Sequence, residues 1–173
     1  HWMVHSFPTR RSSDLKWVSD ITYIPTAAGW LYLCVVIDLW SRRVVGWSFS
    51  ESLATDLVVA ATRMAIRDRR PTPGCIFHSD RGCQYANSAF RSFAVAHGLV
   101  QSMSRKGCCY DNAVAESFFH SLKIDWVYGR TFANRAEATQ AIFVYLQVFY
   151  NRVRRHSTLG YLSPERFENE RAA

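Results

Sequence analysis

From Lys16 onward the hydrophobic pattern falls into short-period and then long-period blocks. WVSDITYI (Trp17 to Ile24) is rich in β-branched and aromatic residues and predicts a strand that stops at Pro25. Trp30 to Leu39 is a nearly continuous apolar run, the pattern of a strand buried on both faces, and Val44 to Ser50 predicts a third. The links between them are too short for anything but antiparallel neighbours, so the three predict a meander. The period then lengthens. Leu57, Val58, Ala61, Met64 and Ala65 repeat at three and four, predicting a helix capped by Thr55 and ending before Pro71. Cys75 to Ser79 predicts a fourth strand, Asn87 caps a helix through His97 that Gly98 closes, and Leu99 to Met103 predicts a fifth strand. Asp111 or Asn112 caps a helix reaching about Val127, a long helix follows over about 134–150, and the tail from Asn151 reads as basic and turn-rich. The sum is a mixed α/β domain, with ligands expected at strand ends where the connection pattern changes.

Composition adds a partner class. The 173 residues are enough for one ordinary domain, and Lys and Arg outnumber Asp and Glu by 21 to 14, for a net charge of +7. That balance points to a polyanion, most often nucleic acid. The five cysteines include no C-x-x-C pair, which argues against a zinc module or a disulfide framework and for a reducing cytoplasm. The longest apolar run, Leu31 to Ile37, is far too short to span a bilayer. Residues 1–15 lack apolar periodicity, and SFPTRRSSDL within them resembles the in-frame translation of a sequencing adaptor, so they are read as a non-native leader. A basic arm that touches DNA backbone is the alternative. The domain is expected over 16–167, with 168–173 as a tail.

Three carboxylates occupy positions that structure alone does not favour. Asp20 interrupts the first strand, Asp80 follows the fourth directly, and Glu116 lies one turn into a helix. Clustered carboxylates repel one another, and a divalent cation removes the penalty; hard oxygen donors suit magnesium or manganese. Each acid also has a structural reading. Asp80-Arg81-Gly82 makes an ordinary turn, Glu116 is able to pair with His120 or Lys123 on a wet helix face, and Asp38, a further acid, sits where an Asp caps a strand exit. Positions 116, 120 and 123 fall on one helix face, and Val114, Phe118 and Leu122 on another suited to the core, with Phe119 at the boundary.

The blocks WVSDITYI, YLCVVIDLWSRRVVGW, HSDRGCQYANSAF, SMSRKGCCYDNAVAESFFHSLK and YNRVRRHSTLGYLSPERF, with 35 residues between Asp80 and Glu116, occur in one order over Trp17 to Phe167. In this the chain resembles the retroviral-integrase-like catalytic core of insertion sequence 3 family transposases, second open reading frame. The resemblance implies a ribonuclease-H-like fold with a five-stranded mixed sheet flanked by helices: the meander, then α-β-α-β. It assigns the catalytic, metal-binding triad to Asp20, Asp80 and Glu116. It implies two magnesium (or manganese) ions and DNA nicking followed by strand transfer from a 3′-hydroxyl. It further implies DNA partners at transposon ends and target, a homo-oligomeric active complex and a bacterial, nucleoid-associated location. Cys83 stands where serine is usual and Cys108 where a small polar residue is usual. The family's end-reading helix-turn-helix region is not among these residues, so sequence-blind DNA binding is expected.

Groups expected to contact DNA are Arg81, Gln84 and Tyr85 after the second Asp, Arg105 and Lys106 before the helix, and Asn112, His120 and Lys123 along it. Arg154, Arg155 and His156 in the tail join them. Trp30, Trp40 and Trp47 are expected in the core. Two other functions compete: a nuclease of the same fold without joining activity, and a non-catalytic DNA-binding remnant.

Overall fold

The computed structural model describes residues 15–104 and 112–172. Five strands form one sheet in the order β3-β2-β1-β4-β5: β1 (Lys16–Thr26), β2 (Gly29–Asp38), β3 (Val44–Ser50), β4 (Ile76–Ser79) and β5 (Val100–Met103). β1 to β3 form the expected antiparallel meander, and β4 and β5 add in parallel on the far side of β1. The helices are α1 (Thr55–Arg69), α2 (Cys83–Ala86), α3 (Ser88–Ala96), α4 (Ala113–Leu122), α5 (Arg135–Val144) and α6 (Pro164–Ala172). π-helical segments extend α4 over Lys123–Val127 and α5 over Tyr145–Tyr150, and a 3₁₀ turn spans Ser157–Leu159.

The unbroken apolar run of β2 has a direct cause. Leu31, Leu33, Val35 and Ile37 pack with α4 and α5 on one face, while Cys34 and Val36 pack with α1 and α3 on the other. A strand covered on both sides has no polar face to show. Gly46 on β3 lets α1 approach closely, because a Cβ there would run into the Ala61 carbonyl oxygen.

Several local expectations give way. β1 continues through Pro25 to Thr26, since Pro25 pairs in register with Trp30 at the ribbon's end, where a missing N–H costs least. α1 begins after Ala54 with no side-chain cap, and Thr55 is its first residue. Asn87 does cap α3, accepting from Ala89 N, and Asn134, expected only as the start of the long helix, caps α5, accepting from Glu137 N. Leu15, assigned to the leader, is half-buried and its carbonyl accepts from Ile76 N at 3.0 Å, tying it to β4. At the other end, residue 168 is no tail: Glu168 is 3% exposed and pairs with Arg43 at 3.0 Å and with Arg69. Trp30, expected inside, is 49% exposed and stacks edge-on with Tyr23, while Phe119 is buried rather than at the boundary. Asp38 acts as a cap, accepting from Trp40 N at 2.8 Å, and lies 4.0 Å from Arg69.

Candidate active site

The parallel pairing of β1 with β4 ends at Val18–His78, so beyond it the two strands part. Asp20 lies on β1 past that point, opposite Val35 of β2, and Asp80 follows β4 directly. A cavity of about 240 Å³ opens there, lined by Asp20, Ile21, Tyr23, Tyr32, Leu53, Asp80, Gln84 and Tyr85. This is the crevice at strand ends, beside the strand where the connections change side, that the element pattern predicts for ligands. Glu116 is exposed on the first turn of α4, which packs against β1, and it does not line this cavity.

Each carboxylate of the crevice is held locally. Asp20 Oδ1 accepts from Ile21 N at 2.8 Å, and Asp80 Oδ1 accepts from Gly82 N at 2.9 Å in a tight turn. A Cβ at Gly82 would come within 2.9 Å of both Asp80 Oδ1 and Gln84 Oε1, so glycine keeps space beside that carboxylate. Behind Asp20, Ser19 Oγ bonds Tyr85 OH at 2.8 Å and meets Cys34 Sγ at 3.5 Å. Burial pushes the Cys34 thiol up to about 12 and the Tyr85 hydroxyl well above its usual range, so this backing is uncharged.

Burial also raises the Asp20 carboxyl from 3.8 to about 6. The Ile21 N–H pulls it back, and the charges of Asp80 and Glu116 push it further up. The three acids therefore share one electrostatic neighbourhood. Among the described residues none of them forms an ion pair, and no three His, Cys, Asp or Glu side chains stand close enough to hold one metal ion between them. Lys123 places its ammonium 5.1 Å from the centre of the Tyr23 ring, at the cavity's edge.

Comparison with known proteins gives the chain its family. The Integrase core domain family matches residues 10–109, and a second Integrase core domain family matches residues 116–171. The chain is 50% identical over 158 residues to the transposase InsF for insertion sequence IS3A of Escherichia coli strain K12, covering 91% of this chain and 55% of that protein. It is 47% identical over 152 residues to the transposase for insertion sequence element IS904 of Lactococcus lactis, covering 88% and 60%. The chain belongs to the IS3-family transposases. It spans a little over half the length of these curated relatives.

Solved structures agree on the fold of this transposase chain, which is that of integrase catalytic cores and ribonuclease H. A simian T-cell lymphotropic virus intasome chain superposes with a TM-score of 0.71 at 15% identity, over 96% of this chain and 60% of its own. The HTLV-2 integrase catalytic core in complex with magnesium superposes with a TM-score of 0.56 at 15% identity, over 90% and 94%.

The expected DNA contacts separate on burial. Arg81, His120 and Arg155 are exposed and Lys123 is half-buried, with Arg81 Nε anchored to Ser104 O at 2.8 Å. Gln84 is largely buried but lines the cavity. Tyr85 also lines the cavity, but it is 1% exposed and packs with Phe77 and Phe90 as part of the core. His156 is no cationic contact. Burial and the guanidiniums of Arg154 and Arg42 lower it to about 4, and its ring packs on Tyr150. Asn112 is buried. Arg105 and Lys106 lie outside the described residues. Sequence reasoning missed Tyr23, whose signal was alternation: in WVSDITYI it falls on the same strand face as Ile21, and both line the cavity.

Proposed function

We propose that this chain is the catalytic core of a DNA transposase, performing divalent-metal-dependent phosphoryl transfer: donor-strand nicking, then attack of the freed 3′-hydroxyl on target DNA. One observation carries the reading. Asp20 of β1 is a partly buried carboxylate, raised by that burial and further by the charges of Asp80 at the end of β4 and Glu116 of α4, with no cation paired to any of the three among the described residues. Such an arrangement costs stability unless a cation answers it.

The donor set suits magnesium, with manganese as the alternative, because all three groups are hard oxygen donors and Gly82 leaves space beside Asp80. Asp20 and Asp80 of the crevice and Glu116 of α4 are the residues that would hold such ions. When bound, such ions supply activation of the attacking oxygen and stabilisation of the leaving one. The chain's own residues do the holding and orienting. β1, the central strand of the sheet, fixes Asp20 rigidly, and the uncharged Ser19–Tyr85–Cys34 backing competes for none of its charge. Lys123, beside Tyr23, Arg81, next to Asp80 in the chain, and the exposed His120 of α4 would position the DNA backbone without reading it. Partners are transposon-end and target DNA, a second copy of the chain completes the active complex, and the setting is the bacterial nucleoid. No described helix is long and apolar enough to cross a membrane.

A strand-transfer assay tests this directly. Incubating the chain with magnesium, a pre-nicked terminal-repeat duplex and a target plasmid should give joined product that Asp20→Asn and Glu116→Gln remove. Hydrolysed but unjoined DNA would instead identify a nuclease. A chain that binds DNA and takes up no magnesium by calorimetry would be a non-catalytic remnant.

A further inference from the structure

A larger cavity, about 490 Å³, lies between α4 and the C-terminal segment, on a face of the helix that does not include Glu116. Ala113, Val114, Ser117, Phe118 and Ser121 of α4 form one wall, and Arg42, Arg154 and Arg155 bring three guanidiniums to it. No carboxylate among the described residues lines it. Among the described residues the side chains of Arg42 and Arg155 make neither hydrogen bond nor ion pair. Arg154 is fixed as part of the wall: it donates to Ser121 Oγ at 2.9 Å and lies 3.9 Å from Asp125. His156 also lines the cavity, with its Nε2 buried and without a hydrogen-bond partner.

Backbone conformation adds a second signal. Arg42 (φ 60°) and Tyr161 (φ 61°) are two of the three described non-glycine residues with left-handed backbone, and both line this cavity. Such conformations cost energy and persist where the surroundings over-determine them, often at binding sites. Asp125 answers the charge of Arg154 alone, and the guanidiniums of Arg42 and Arg155 add like charge beside it that an anion would relieve. Planar guanidiniums take phosphate oxygens two at a time, and serine and threonine hydroxyls are ordinary phosphate donors.

We propose that this cavity is a second DNA seat, holding a backbone phosphodiester against a face of α4 other than the one that carries Glu116. The proposal rests on the DNA-acting reading above. What selects DNA over an acidic peptide is position: the cavity is built on the helix that carries Glu116, and that helix is about 10 Å across. A duplex engaged at the acids has its backbone within reach of the far wall. Filling the cavity would also steady α4, since Ser117 and Ser121 belong to both.

The experiment is a salt titration of fluorescent duplex binding by the whole chain, comparing Arg42→Asn, Arg155→Gln and Lys123→Ala with the unaltered protein. Asparagine tolerates the left-handed backbone at position 42, and neither arginine has an ion pair to lose, so melting temperatures should stay level. Each cavity variant should flatten the slope of log affinity against log salt by about 0.9, the value for one phosphate contact. Unchanged slopes in both cavity variants, while Lys123→Ala flattens its own, would overturn the second seat and leave the DNA reading intact. No salt-dependent DNA binding by the unaltered chain would overturn both. Poly-glutamate that outcompetes DNA on the unaltered chain, and loses that advantage with Arg42→Asn, would make this a peptide site and refute the proposal.

Discussion

Replacing Asp20 with asparagine should make the metal-free protein more stable at neutral pH. The folded carboxyl sits at about 6 against an ordinary 3.8, chiefly because it is buried and secondly because Asp80 and Glu116 are near. The unfolded chain therefore releases the proton first, and between pH 3.8 and 6 the folded state holds more protons. Stability falls as pH rises through that window and levels off above it. Two pKa units correspond to about 3 kcal/mol, an upper figure because the carboxylate is not wholly dry. The asparagine side chain would keep an oxygen for the Ile21 N–H and carry no charge. For a chain of this size a gain of about 2–3 kcal/mol raises the melting temperature by roughly 4–12 °C. The assay is thermal denaturation of both proteins in EDTA from about pH 4 to about pH 8. The curves should coincide near the lower end and separate above about pH 6, and magnesium should raise only the unaltered protein. A variant no more stable than its parent at neutral pH would refute the reasoning, because the three charges would then impose no cost.

Glu116→Gln should change melting little, with any shift at neutral pH upward because one of the charges that raise Asp20 is removed, and cut cleavage and joining by more than the roughly 10–100-fold typical of residues behind metal ligands; gel assays of strand transfer measure this. Gly46→Ala should cost about 1–3 kcal/mol in urea unfolding, because the new methyl meets the Ala61 carbonyl and α1 must shift. Glu168→Gln should destabilise the protein at neutral pH by less than the ~3–5 kcal/mol of a fully stranded buried pair, because Arg69 keeps Asp38 and Arg43 is partly exposed. Burial alone would raise the Glu168 carboxyl, but Arg69 and the other partners outweigh it and hold it below 4.5. Its contribution is therefore present above pH 4.5 and lost on acidification through the lowered value, so the two proteins should converge in acid.

Much of this molecule was legible in one dimension. The apolar run of β2, the meander and the asparagine cap of α3 follow from patterns spanning a few residues, where backbone geometry and local hydrogen bonding decide. The family resemblance supplied the positions of the three acids, which no periodicity would have singled out: Asp80 in a D-R-G turn and Glu116 on a helix with a lysine look ordinary alone. Facing was not legible. Tyr85 and Trp30 are both large amphipathic rings in strand-like or turn-like surroundings. One is sealed against Phe77 and Phe90, while the other stands at the open end of the β1–β2 ribbon. His156 reads as a basic residue until Tyr150, Arg154 and Arg42 close around it and hold it neutral. The turn-rich tail packs α6 onto the domain because Glu168 finds Arg69 at the end of α1 and Arg43 just before β3, 99 and 125 residues away in the chain. Local sequence sets which conformations a segment prefers. Burial, charge and partnership depend on what distant segments bring to the same place, and that is decided only when the sheet and its two helical layers close.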